Sequence, residues 1–161
     1  MLVVVFIFLL FVSIMQVVLF MHAYNTLANA AKAGVRYAIV HGTENTICSG
    51  PGNPNVSPAI TCTDPNAANV VNAVTQPFGI ISFQNISSTN NGCTPTSGNN
   101  VNEVDVCYDP NSANTNSAFA HPCSAPGCLV RVIVRHTYRP FFGLGWPSFN
   151  LYAAADGRIM N

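Results

Sequence analysis

"NTLANAAKAGVRYAIVHG", Asn25 to Gly42, follows an almost wholly apolar opening without a break. It is rich in alanine, carries Lys32 and Arg36, and ends on a glycine. No proline interrupts the chain from Met1 to Val40. Gly34, the one internal glycine, costs a helix only about 1 kcal/mol relative to alanine. Gly42 can take the left-handed conformation that closes a helix. One continuous helix is therefore expected from the start of the chain to about residue 41, on the order of 60 Å long, twice a bilayer core of about 30 Å.

This stretch carries two stripes. Ala30, Gly34 and Ala38 recur every fourth residue and let another helix or a sheet approach closely. Leu27, Ala31, Val35 and Ile39 form an adjoining apolar stripe, leaving Asn25, Asn29, Lys32 and Arg36 to face solvent or a neighbour.

Upstream, "MLVVVFIFLLFVSIMQVVLFMHA" has only Ser13, Gln16 and His22 as polar side chains, and no charge appears before Lys32. A secretory signal has a basic start and an apolar core of about 7–15 residues. This core is longer and has no Lys or Arg ahead of it, so the segment is read as retained. Val5, Phe8, Phe11, Gln16 and Phe20, with Ala30, Gly34 and Ala38, are the candidate assembly residues.

The remainder is a different kind of sequence. Charged residues make up 7% of the chain, six basic against six acidic, where soluble proteins carry roughly 25%. No basic or acidic run points to nucleic acid. From Thr43 to Pro126, Asn, Ser, Thr, Pro and Gly dominate. All six cysteines, Cys48, Cys62, Cys93, Cys107, Cys123 and Cys128, lie in the second part of the chain. An even number in such loops implies disulfides and an oxidising compartment. Nearest-neighbour pairing (48–62, 93–107, 123–128) closes three loops, those of about 15 residues being worth roughly 3 kcal/mol each by chain entropy.

"CTDPNAANVVNAVTQ" offers Asp64 as an N-cap and Pro65 as a first helical residue, so a short second helix is expected, with Val70, Val71 and Val74 on its apolar face. "GIISFQNIS" reads as a strand. "VNEVDVCYD" alternates, with Val104, Val106 and Tyr108 opposite Glu103, Asp105, Cys107 and Asp109. "LVRVIVRHTYRP" alternates too, with Arg131, Ile133, Arg135 and Arg139 on one side, and "SFNLYAAADGRI" closes the chain. Pairing the acidic strand with the arginine strand would set opposite charges across from each other, worth roughly 0.2–1 kcal/mol per pair. The fold class is α+β: residues 1–24 are the membrane or filament half of a long helix, 25–42 its amphipathic half, and 43–161 a disulfide-stapled head with a small antiparallel sheet.

Little supports catalysis. His22, His41, His121 and His136 are scattered, no Cys-x-x-Cys pair suggests zinc, and no nucleophile motif is present. The echo "CTDPNAAN" and "CYDPNSAN" lacks the glycine and distal glutamate of a calcium loop and reads as two turns. No enzyme activity, metal or cofactor is expected. Asn55 and Asn85 match the N-glycosylation acceptor pattern.

The matching residues Asn25, Leu27, Ala30, Ala31, Gly34, Arg36 and Tyr37 resemble the helix of the TadE-like pilus assembly family, pilin-like proteins of tight-adherence (Tad/Flp) systems. The C-terminal "VRVIVRHTYRPFFGLGWPSFNLYAAADGRIM" is similar to that family's closing hairpin, with Arg158 at its final position. The resemblance covers both ends, about half the chain. It implies a pilin-like fold and a structural subunit of an extracellular type IV-like filament. Its partners would be copies of itself, the pilus machinery and, before assembly, the inner membrane. Two positions depart from the pattern. Such proteins usually carry a glutamate near the mature N-terminus, where this chain has Val5, and alignment on the Asn25 motif puts that glutamate just before Met1. Gln16 stands where the family often has a second acid. A minor pilin outside the main filament, or an anchored binding domain, are the alternatives.

Overall fold

A computed structural model describes residues 2–42, 50, 67–75, 102–108, 126–140 and 147–160. The first element, α1, is a single helix, Leu2–Val40, of 39 residues, about 58 Å long. It is as continuous as the absence of proline requires. A second helix, α2 (Ala68–Thr75), and three strands follow: β1 (Glu103–Tyr108), β2 (Leu129–Tyr138) and β3 (Phe149–Arg158). They form one antiparallel sheet in the order β1-β2-β3. The expected strand over "GIISFQNIS" lies outside the described residues.

The second helix starts later than its sequence suggests. Ala67 has φ of 52°, a left-handed conformation that no helix interior can contain. Its carbonyl accepts the N–H of Val71 at 3.0 Å, so Ala67 caps α2. Asp64 and Pro65 lie outside the described residues.

Valines make the sheet, since β-branched side chains suit a pleated surface. On one face Val104, Val106, Val130, Val132 and Val134 meet Leu27, Ala30, Ala31, Val35 and Ala38 of α1 and Val70, Val71 and Val74 of α2. Leu151, Ala153 and Ile159 complete this core. Two glycines allow the layers to touch. A Cβ on Gly34 would fall 2.5 Å from Val74 Cγ2 and 3.1 Å from Val132 Cγ1. One on Gly157 would fall 2.6 Å from Val35 Cγ1.

The strands run alongside α1. Gly157, paired with Val130, sits against Val35 and Ile39. At the other end of β2, Tyr138 reaches Gln16 and Phe20. From Val130 to Tyr138 a strand covers about 26 Å, and from Val35–Ile39 down to Gln16–Phe20 a helix covers about 28 Å. The two agree, so the strands lie nearly parallel to the helix axis. Beyond β3 the chain is pinned to the top of α1, where Met160 N–H donates to Ile39 O at 3.1 Å.

Candidate assembly helix and the ion cluster behind the sheet

The N-terminal half of α1 is a nearly bare apolar rod. Val5, Phe8 and Phe11 are more than half exposed, as are Val17 and Val18. By length and composition this helix is able to cross a membrane.

One flank of the rod is covered. Val12 and Gln16 are buried and Phe20 is half-buried. Tyr138 Oη donates to Gln16 Oε1 at 3.3 Å, and the Tyr138 ring meets Phe20 edge-on at a centroid distance of 5.6 Å. Gln16 Nε2 is buried and has no hydrogen-bond partner among the described residues. The polar residue in the middle of the apolar segment is thus received by the end of the chain's own sheet.

The other candidates divide clearly. Ala30, Gly34 and Ala38 are buried against α2 and the sheet, so this stripe is occupied within the chain and offers no surface to a copy. Of the motif residues, Leu27 is fully buried, while Asn25 and Arg36 are exposed, as are Asn29 and Lys32. Tyr37 stacks on His41 at 4.0 Å, and His41 Nδ1 lies 2.9 Å from Tyr37 O. Arg158 Nη1 donates to Gly127 O at 3.2 Å, tying the end of β3 to the start of β2. Cys107 and Cys128 are both disulfide-bonded; their pairing, with Cys48, Cys62, Cys93, Cys123, Asn55 and Asn85, lies outside the described residues.

The charged strands pair as their alternation suggests, with Glu103 opposite Arg135. Their setting differs from that of a surface ladder. Glu103, Asp105 and Arg135 are each less than a tenth exposed, with Ile133 and Cys107 buried beside them. Arg135 Nη1 bonds Asp105 Oδ2 and lies 3.5 Å from Glu103 Oε2. Two carboxyls therefore share one guanidinium out of water, where desolvation rivals Coulomb attraction. Burial pushes the Asp105 carboxyl above its ordinary range, against the pull of Arg135. Arg131 instead turns to β3 and grips Asp156 with two bonds, of 2.6 and 2.8 Å. Hydrogen bonding to Arg131 lowers the Asp156 pKa, but this pair is partly solvated and contributes at most about 1 kcal/mol.

These shifts act in separate pH windows. Asp105, with its folded pKa raised, leaves the head most stable below the ordinary carboxylate value and costs stability as pH rises through the folded value. Asp156, with its pKa depressed, loses its contribution only as pH falls further. Asp105→Asn should therefore flatten the decline in head stability as pH rises above the ordinary carboxylate range. Urea unfolding of both proteins over that rise is the check; parallel curves would refute the assignment.

Among the described residues no group of His, Cys, Asp or Glu is arranged to hold a metal ion. The sequence reading missed the contact of Tyr138 with Gln16. A strand ten residues long extends about 33 Å, longer than the amphipathic half of α1, and that length was the available signal. The chain matches no protein-family model, no curated protein and no solved structure.

Proposed function

We propose that this chain is the structural subunit of an extracellular, Tad-type, type IV-like pilus filament with a pilin-like fold. It would be held in the inner membrane by the apolar half of α1 and then packed through that half against copies of itself. The observation that supports this is the continuity of α1. One rigid 39-residue helix leaves its first half bare and apolar while its second half is the spine of the head. Removing that bare surface from water is worth about 25 cal/mol per Å² of apolar area. Lipid supplies that burial before assembly and sister helices supply it afterwards. The resemblance around Asn25–Tyr37 and the closing hairpin gives the reading its Tad-type form. The pilus machinery would be the partner that moves the subunit from one environment to the other.

Electron microscopy of the purified protein after detergent removal tests this. Filaments with a constant helical rise are expected. A chain that stays monomeric, and that is present at only a few copies per cell, overturns it in favour of a minor pilin.

A further inference from the structure

The end of the sheet that carries Tyr138 and Phe149 lies beside α1 below the point where the helix becomes polar. His22, Asn25 and Asn29 are the first exposed polar residues above the apolar half. Tyr138 touches Gln16 and Phe20, about 3–9 Å below the level of His22 along the axis. At that same level the opposite flank presents Val17, Val18 and Leu19, all exposed. A helix with its side chains is only about 10–12 Å across. Two flanks that close share one medium.

The geometry points to a second membrane-contacting element: the Tyr138–Phe149 end of the sheet seats in the lipid leaflet from which α1 emerges. This rests on the proposed anchoring of α1 in a bilayer. The side chains fit an interfacial position. Phe149 and Tyr24 are each more than two-fifths exposed, and aromatic rings of this kind concentrate at the headgroup level. Arg139 is exposed, with a stem long enough to lie along acyl chains while its guanidinium reaches phosphate. Several polar groups at this end have partners within the chain, as a low-dielectric setting favours. Tyr138 Oη donates to Gln16. Thr137 Oγ1 donates to Asn150 Oδ1 at 3.0 Å. Past the last β1–β2 pair, the Thr137 N–H is taken up by Asn102 Oδ1 at 3.4 Å. The depth also matches that of interfacial elements, which sink about 5–10 Å into the headgroup–acyl boundary.

The test uses single tryptophans in the full chain. Trp146 is the only one and is replaced by Phe. Phe149→Trp then reports on the sheet end, Leu9→Trp on the anchor, and Met160→Trp on the far end of the head, where Met160 is exposed. Each protein is placed in phosphatidylethanolamine–phosphatidylglycerol vesicles. These contain phosphatidylcholine brominated either near the headgroup end or near the methyl end of the acyl chain. Phe149→Trp is expected to lose most of its emission to the shallow bromine and less to the deep one. Leu9→Trp is expected to be quenched most by the deep bromine, and Met160→Trp by neither. If Leu9→Trp is quenched while Phe149→Trp is open to aqueous acrylamide and closed to bromolipid, the sheet end faces water and the inference fails. If Phe149→Trp is closed to both quenchers, a second copy covers it, and the inference again fails. If Leu9→Trp also escapes bromolipid, the anchoring itself is overturned.

Discussion

Arg135→Leu should lower the stability of the head by about 3–5 kcal/mol, the usual cost of removing one side of a buried charge pair. That is a large fraction of the roughly 5–15 kcal/mol that holds a domain folded. Arg135 is the cation shared by Glu103 and Asp105, and all three are buried. Without the guanidinium, two carboxyls two residues apart on the same face of β1 are left together in a site that disfavours charge. The cost should shrink toward acid pH, where the Asp105 carboxyl, already raised by burial, takes up its proton, and grow toward neutrality. Chemical unfolding of the protein in detergent, followed by far-ultraviolet circular dichroism, measures it. The triple change Glu103→Met, Asp105→Leu, Arg135→Met separates the charge cost from the packing. Replacing a whole buried ionic cluster with apolar side chains is often neutral or stabilising. The triple variant should therefore recover most of what Arg135→Leu loses. If it is as unstable as the single variant, packing rather than charge dominates this site.

Gly34→Leu is expected to have the second large effect, about 3 kcal/mol or more, at the upper end of what overpacked cores cost. Even a bare Cβ here would meet Val74 Cγ2 at 2.5 Å and Val132 Cγ1 at 3.1 Å. Valine methyls are held close to the backbone and cannot swing aside, so α2 itself would have to move. Gly34→Ala tests the same contact more mildly, because alanine regains about 1 kcal/mol of helix propensity against the clash. Hydrogen exchange should show α2, Ala68–Thr75, losing protection first in Gly34→Leu. This loss belongs to the isolated subunit and is measured in detergent, without any assembly. Protection unchanged at α2, with stability intact, would mean that the helices are not packed through Gly34.

The fold was legible where one local rule dominates. The absence of proline gives α1 its length, and alternation assigns the faces of β1 and β2 correctly. The α+β arrangement of helix, short helix and antiparallel strands follows from those two patterns. Four features were not legible. Ala67 has a left-handed backbone that its composition does not announce, so the start signal at Asp64–Pro65 places α2 too early. Alternation puts Glu103, Asp105 and Arg135 on one face and says nothing of whether that face is covered. The small-residue stripe of α1 says that something packs closely at Ala30, Gly34 and Ala38, and three-dimensional contact decides that it is the chain's own α2 and sheet. The deepest gap concerned Gln16, which in sequence looks like an isolated polar residue in lipid. Its partner, Tyr138, stands 122 residues away, and no local pattern connects them.

The alignment of the strands with α1 has a mechanical consequence. The sheet is tied to the helix near both ends, at Met160 with Ile39 and at Tyr138 with Gln16. A pull along α1 therefore slides β2 and β3 past one another and past the helix, and does not peel them open from one end. In that loading direction the β2–β3 hydrogen bonds, spanning Leu129↔Arg158 to Tyr138↔Phe149, share the force at once. The head is built to resist tension along its own spine, and to yield most easily when that tension comes from the side.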